Sequence, residues 1–139
     1  MMDADFFKEL LTIFKGECEE HIQTMKSGVQ DLRQHMDTDK QIEIGEVVHR
    51  SAHSLKGAAR TIGLSDVEPI CQSLESNFGI LMRQKMLLPS KIFDYFDRSV
   101  VLLGEVLASI NEEGKVEVDK TDLIRVVEEL SSHMVQYRK

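Results

Sequence analysis

The chain has no tryptophan, two prolines and two cysteines in 139 residues. So few prolines leave long segments free to be helical. Cys18 and Cys71 are too few and too far apart for a disulfide framework or a zinc ribbon. Both sit among apolar neighbours and read as reduced core residues of a cytoplasmic protein. Basic residues are short: 17 Lys and Arg stand against 24 Asp and Glu, a formal net charge of −7. That deficit argues against general nucleic-acid binding, which wants a basic face. It argues equally against a polybasic membrane anchor. Long apolar runs are missing too. The longest aliphatic run is Val100 to Leu103, whereas a spanning helix needs about 20 residues. The opening MMDADFFKELL is acidic and lacks the basic start and apolar stretch of a secretory signal, so none is expected.

What is present fits a folded chain. Hydrophobic residues make up 42% and charged residues 29%, a globular rather than a disordered balance. The length suits one domain over residues 1–139, and the size and charge favour a monomer.

Apolar residues recur at steps of three and four throughout. Phe6, Phe7, Leu10, Leu11, Phe14, Cys18, Ile22, Met25, Val29 and Leu32 mark one long first helix, weakened slightly by Gly16 and Gly28 and closed by the polar stretch His35 to Lys40. A second helix begins near Thr38, with Gln41 completing a capping box. Its stripe is Ile44, Val47, Val48, Ala52, Leu55, Ala59 and Ile62, and Gly63 is placed to end it. Ser65-Asp66-Val67-Glu68 reads as another capping box, with Pro69 in the first turn of a third helix carrying Val67, Ile70, Cys71, Leu74, Phe78, Leu81 and Met82. Pro89-Ser90 opens a fourth, and a fifth runs from about Thr121. No strand-period alternation is long enough to matter. The expected fold is all-α: an up-and-down antiparallel four-helix bundle, with the fifth C-terminal helix covering or extending one end.

The second helix is written unlike a purely structural one. His49, His53, Lys56, Gly57 and Arg60 share one face, with Arg50 on its rim. This face is basic in an acidic chain. Gly57 costs about 1 kcal/mol relative to alanine inside a helix, and it lies one turn beyond His53. A missing side chain there would leave the imidazole open to a large partner. On the third helix Gln72 and Glu75 flank the apolar stripe. If the two helices are antiparallel neighbours, Glu75 can reach a ring nitrogen of His53. A carboxylate accepting from Nδ1–H would fix the tautomer and leave Nε2 as a free nucleophile. On these residues alone, a solvated charged face and a surface ion pair stand level with the functional readings.

The segment His49-Arg50-Ser51-Ala52-His53-Ser54-Leu55-Lys56-Gly57-Ala58-Ala59, followed by Thr61-Ile62-Gly63-Leu64, resembles the signature of histidine phosphotransfer (HPt) domains. It is most similar to the N-terminal phosphotransfer domain of chemotaxis-type histidine kinases. Phe14, Glu17, Glu20 and His21 fit that family's first helix, Ser65 to Leu81 its third, and the five-helix plan covers the whole chain. The resemblance implies that His53 is phosphorylated on Nε2, that Lys56 helps neutralise the phosphate, that Gly57 gives clearance, and that Glu75 orients the imidazole. His49, Arg50, Arg60 and Gln72 would face partners. Gln72 stands where such kinases often carry a second histidine, which alters that part of the polar network. The implied partners are a histidine kinase catalytic domain, which supplies the phosphoryl group, and a response-regulator receiver domain, whose aspartate takes it. No GxGxxG or GxxxxGK[ST] loop occurs, so no cofactor is expected in this chain. ATP and Mg²⁺ would belong to the partner domains, and the chain would not be an enzyme on its own.

Two other readings compete. Glu46-x-x-His49 is half of a di-iron carboxylate motif. The other half is missing, because His21, His35 and His133 have no glutamate three residues before them. A metal-binding bundle is therefore disfavoured. A docking bundle that has lost its chemistry would not be expected to keep His53, Lys56, Gly57 and Glu75 together.

Overall fold

A computed structural model describes residues 3–34 and 37–138. His35, and with it the start of the expected polar closure of the first helix, lies outside the described residues. Five helices follow in order: α1 (Ala4–Gln34), α2 (Thr38–Ile62), α3 (Glu68–Met82), α4 (Ser90–Ala108) and α5 (Thr121–Met134), with a 3₁₀ turn at Val135–Tyr137. The all-α bundle read from the periodicity is the observed fold.

The chain runs up and down, and its cross-contacts fix the register. Gly45, His49, His53, Lys56 and Arg60 of α2 lie beside Met82, Gly79, Glu75, Gln72 and Glu68 of α3 in turn. Each step forward in α2 is a step back in α3, so the pair is antiparallel along its whole length. Gly63 ends α2 in the left-handed region at φ 89°, and its N–H returns to Ala59 O at 3.0 Å, as the sequence suggested. α4 closes the bundle against α1 through Gln30–Asp97 and Arg33–Asp94. Phe78 of α3 stacks on Phe96 of α4 across the core, with centroids 4.8 Å apart.

α5 departs from expectation. It does not cover an end. Lys120–Asp66, Asn77–Ser131 and Gln84–Tyr137 tie it to α3 at nearly constant offset, so α5 runs parallel to α3 along the side of the bundle. Its 14 residues span about 21 Å. Leu123, Val126, Val127, Leu130 and Met134 are all buried, and burying a stripe that long requires a full groove rather than the end of a bundle.

Both capping boxes are also replaced. Asp37, not Thr38, caps α2: its side chain accepts from the Asp39 N–H at 2.8 Å. Gln41 is instead buried, donating to Met86 O and accepting from the Leu88 N–H, which anchors the α3–α4 connection. Residues 65–67 form a turn and α3 starts at Glu68, whose carboxylate is taken by Arg60 rather than by the helix terminus. Phe6 and Val47, placed on apolar stripes by spacing, are exposed at the stripe edges. Cys18 and Cys71 are free and buried, and burial pushes both thiols up to about 12, which keeps them protonated and inert.

Gly28 and Gly45 act as spacers at helix interfaces. A Cβ on Gly28 would collide with the Val48 side chain, and one on Gly45 would lie 2.9 Å from Met82 Cα and 3.2 Å from Met82 N. At Gly45 the obstacle is backbone and cannot rotate away. Gly45→Ala should therefore destabilise the fold by about 1–3 kcal/mol, even though alanine favours a helix by about 1 kcal/mol. Urea unfolding measures this, and unchanged or raised stability would mean that the helices are not pressed together there.

Candidate functional site

The α2–α3 register brings four polar side chains together on one face. Glu75 is the hub. Its side chain is only 13% exposed. Oε2 lies 2.6 Å from His53 Nδ1, and Oε1 lies 2.6 Å from Lys56 Nζ. Lys56 also donates to Gln72 Oε1 at 3.0 Å, and Gln72 Nε2 donates to Ser76 Oγ at 3.2 Å. His49 stands one turn before His53, with Nε2 4.0 Å from Glu75 Oε2.

The state of this cluster follows from donor and acceptor chemistry. Burial alone drives the Glu75 carboxyl upward and is the largest single influence. The hydrogen bonds from Lys56 and His53, with their charges, together outweigh it and hold the group below its ordinary value of 4.5. An ionised carboxylate can only accept, so His53 Nδ1 must carry the proton in the bond to Oε2. In the neutral ring Nε2 then holds the lone pair. The His53 side chain is 63% exposed, so that nitrogen is open to an approaching group. Lys56 has three ammonium protons, and its two contacts leave one for a further acceptor.

Because the folded state favours ionised Glu75, its contribution to stability is fully present above pH 4.5 and drains away as pH falls through the lower folded value. A Glu75→Gln variant lacks that contribution. It should be less stable than the parent at neutral pH, and the gap should close in acid. Denaturant titrations between about pH 7 and pH 3 measure the gap. A constant gap would show that Glu75 is not held ionised by its neighbours.

The remaining candidates scatter around this centre. A Cβ on Gly57 would meet nothing within 4 Å, so the surface beside His53 is open. Arg60 points away and makes a two-pronged pair with Glu68, at 2.8 Å through Nε and 2.7 Å through Nη2. Arg50 is exposed on the rim of a shallow groove lined by Glu46, His49, His53 and Met82. Ser76 and Arg83 were not signalled by the motif. They become visible only when α3 is laid against α2, Ser76 one turn beyond Gln72 and Arg83 at the helix end. Among the described residues, no group of three or more His, Cys, Asp or Glu could hold a metal ion, and no helix is long and apolar enough to cross a membrane.

An exposed histidine thus stands on a helical bundle, anchored through one ring nitrogen to a carboxylate on the facing helix. The Hpt domain family matches residues 9–130, and the chain belongs to that family. That membership supports a histidine phosphotransfer role in two-component signalling. The chain is also 28% identical over 132 residues to a chemotaxis protein CheA of Rhizobium meliloti (strain 1021), covering 94% of this chain and 17% of that protein. It thus spans about a sixth of the length of this curated relative.

Proposed function

We propose that His53 is the phosphoryl carrier, taking its group from a histidine kinase catalytic domain and passing it to a receiver aspartate. In the first step the Nε2 lone pair attacks the γ-phosphorus of ATP held by the kinase, and the bond from phosphorus to the ADP oxygen breaks. In the second a carboxylate oxygen of the receiver attacks phosphorus, the P–N bond breaks, and its electron pair returns to Nε2. The observation that carries the reading is the 2.6 Å contact of His53 Nδ1 with Glu75 behind an exposed ring.

The roles of the neighbours follow from their contacts. Glu75 fixes the tautomer and stabilises the positive charge that the ring gains when Nε2 bonds to phosphorus. Lys56 keeps Glu75 ionised and has one ammonium proton for a phosphoryl oxygen. Gln72, steadied by Ser76, holds Lys56 in place. Gly57 leaves room for the partner. His49 and Arg50 line its approach, and Arg60 secures the end of α2 against α3. The domain works as a monomeric cytoplasmic carrier rather than as an enzyme on its own, with ATP and Mg²⁺ on the partner domains.

The test is to incubate the chain with a histidine kinase core and ATP, and separately with phosphorylated receiver domains. Mass spectrometry at neutral or alkaline pH then locates the acid-labile label. Label on His53 is expected. No label from either source would leave a docking bundle without phosphoryl chemistry. Glu75→Gln should slow labelling by about ten- to a hundredfold, the range seen when the carboxylate behind a metal-bound histidine is removed.

A further inference from the structure

We propose that a cationic recess beside His53, formed by His49, Ser76, Arg83 and Arg138 over the bare backbone of Gly79, receives a carboxylate side chain of the receiver domain and sets which receiver docks. The inference rests on the reading of His53 given above. A Cβ on Gly79 would lie 3.4 Å from both Arg83 Nη1 and His49 Cδ2, so the guanidinium and the imidazole converge over that glycine. Arg138, just after the C-terminal 3₁₀ turn, lines the same recess, as does Ser76.

The charge is uncommitted. Arg33, Arg60 and Arg125 each pair with a carboxylate. Among the described residues Arg50, Arg83, Arg98 and Arg138 have no ion-pair partner, and all but Arg98 line this recess or the groove adjoining it. The acidic groups here are Glu75, already held by Lys56 and His53, and Glu46 in the adjoining groove. A chain of net charge −7 thus keeps its free arginines mainly beside its reactive histidine.

Position and exposure select the occupant. His49 and His53 are one helical turn apart, with Cβ atoms roughly 6 Å from each other. A partner centred on His53 that covers about 800 Å² of this chain necessarily covers the recess. Arg83 and Arg138 are exposed, and a free small anion gains little from exposed charges in water. A carboxylate carried in by a docked protein arrives at high effective concentration. The planar guanidinium fork matches it, and the surrounding negative surface repels a partner docked in any other register.

Saturation kinetics of transfer from a phosphorylated receiver that labels His53 test this, with Arg83→Glu, Arg138→Glu and, as a control of equal charge, Arg98→Glu on α4. The first two should raise KM roughly tenfold and leave the maximal rate within about twofold, as expected for charges that guide docking. Arg98→Glu should change neither. Equal effects of all three would reduce the result to bulk charge and overturn the inference. So would unchanged KM, or a fall in maximal rate alone. No label on wild-type His53 from any receiver or from a kinase core with ATP would instead remove the proposed function, and this inference with it.

Discussion

Replacing His53 with Gln is expected to abolish phosphorylation outright while leaving the fold intact. The two halves of that result have separate causes. Glutamine has no ring nitrogen that can attack phosphorus, and among the described residues no other side chain stands in the same relation to Glu75. His49 is the nearest imidazole, but its Nε2 faces Glu75 at 4.0 Å, whereas His53 presents Nδ1 at 2.6 Å. The fold should survive because the His53 side chain is 63% exposed and contributes nothing to the core. Losing the bond to Glu75 costs about 1–3 kcal/mol, which a domain stable by about 5–15 kcal/mol tolerates, and glutamine is at least as good a helix former. Kinase-core labelling with circular dichroism on the same sample measures both. Label retained by the variant would move the chemistry to another histidine, with His49 the first to examine. Helicity lost together with the label would mean that the ring is structural.

The site was legible where local pattern decides and hidden where neighbours compete. Gly63 and the short connection after it force α2 and α3 to lie antiparallel, and that alone sets Glu75 beside His53. The resemblance makes Lys56 a phosphate neutraliser, and the structure adds that its ammonium rests on Glu75 and Gln72, because a carboxylate with little solvent exposure needs a counter-charge. Both capping boxes failed for a related reason. The Ser-x-x-Glu spacing does not say which acceptor wins, and Glu68 was claimed by Arg60 from the preceding helix. The place of α5 was hidden because its stripe shows that one face is buried without showing against what. Gly28 reads from sequence as a weak point within a helix, and Gly45 carries no signal there. They are close approaches, visible only once Val48 and Met82 are set against them.

Gly57 is a glycine of the opposite kind, and it supports the sharper prediction. Nothing lies within 4 Å of a Cβ added there, so a larger residue costs no packing. Gly57→Leu should stabilise the helix by close to 1 kcal/mol, because it exchanges the most flexible helix residue for a good helix former. Transfer should nevertheless fall steeply. The added side chain would stand one turn from His53 on the same face, where the partner must bring a phosphoryl group to Nε2. A bonding approach to phosphorus leaves no slack, and displacement of about 1 Å is enough to cost a hundredfold. Gly57→Ala should fall between, with most of the stability gain and a smaller loss of transfer. The opposite signs separate this from ordinary damage, since a mutation that harms folding lowers stability and transfer together. Thermal unfolding and receiver-transfer rates on the same preparations decide it. Transfer that holds at the wild-type rate in Gly57→Leu would show that the partner does not approach over this position and would remove clearance as the reason for glycine.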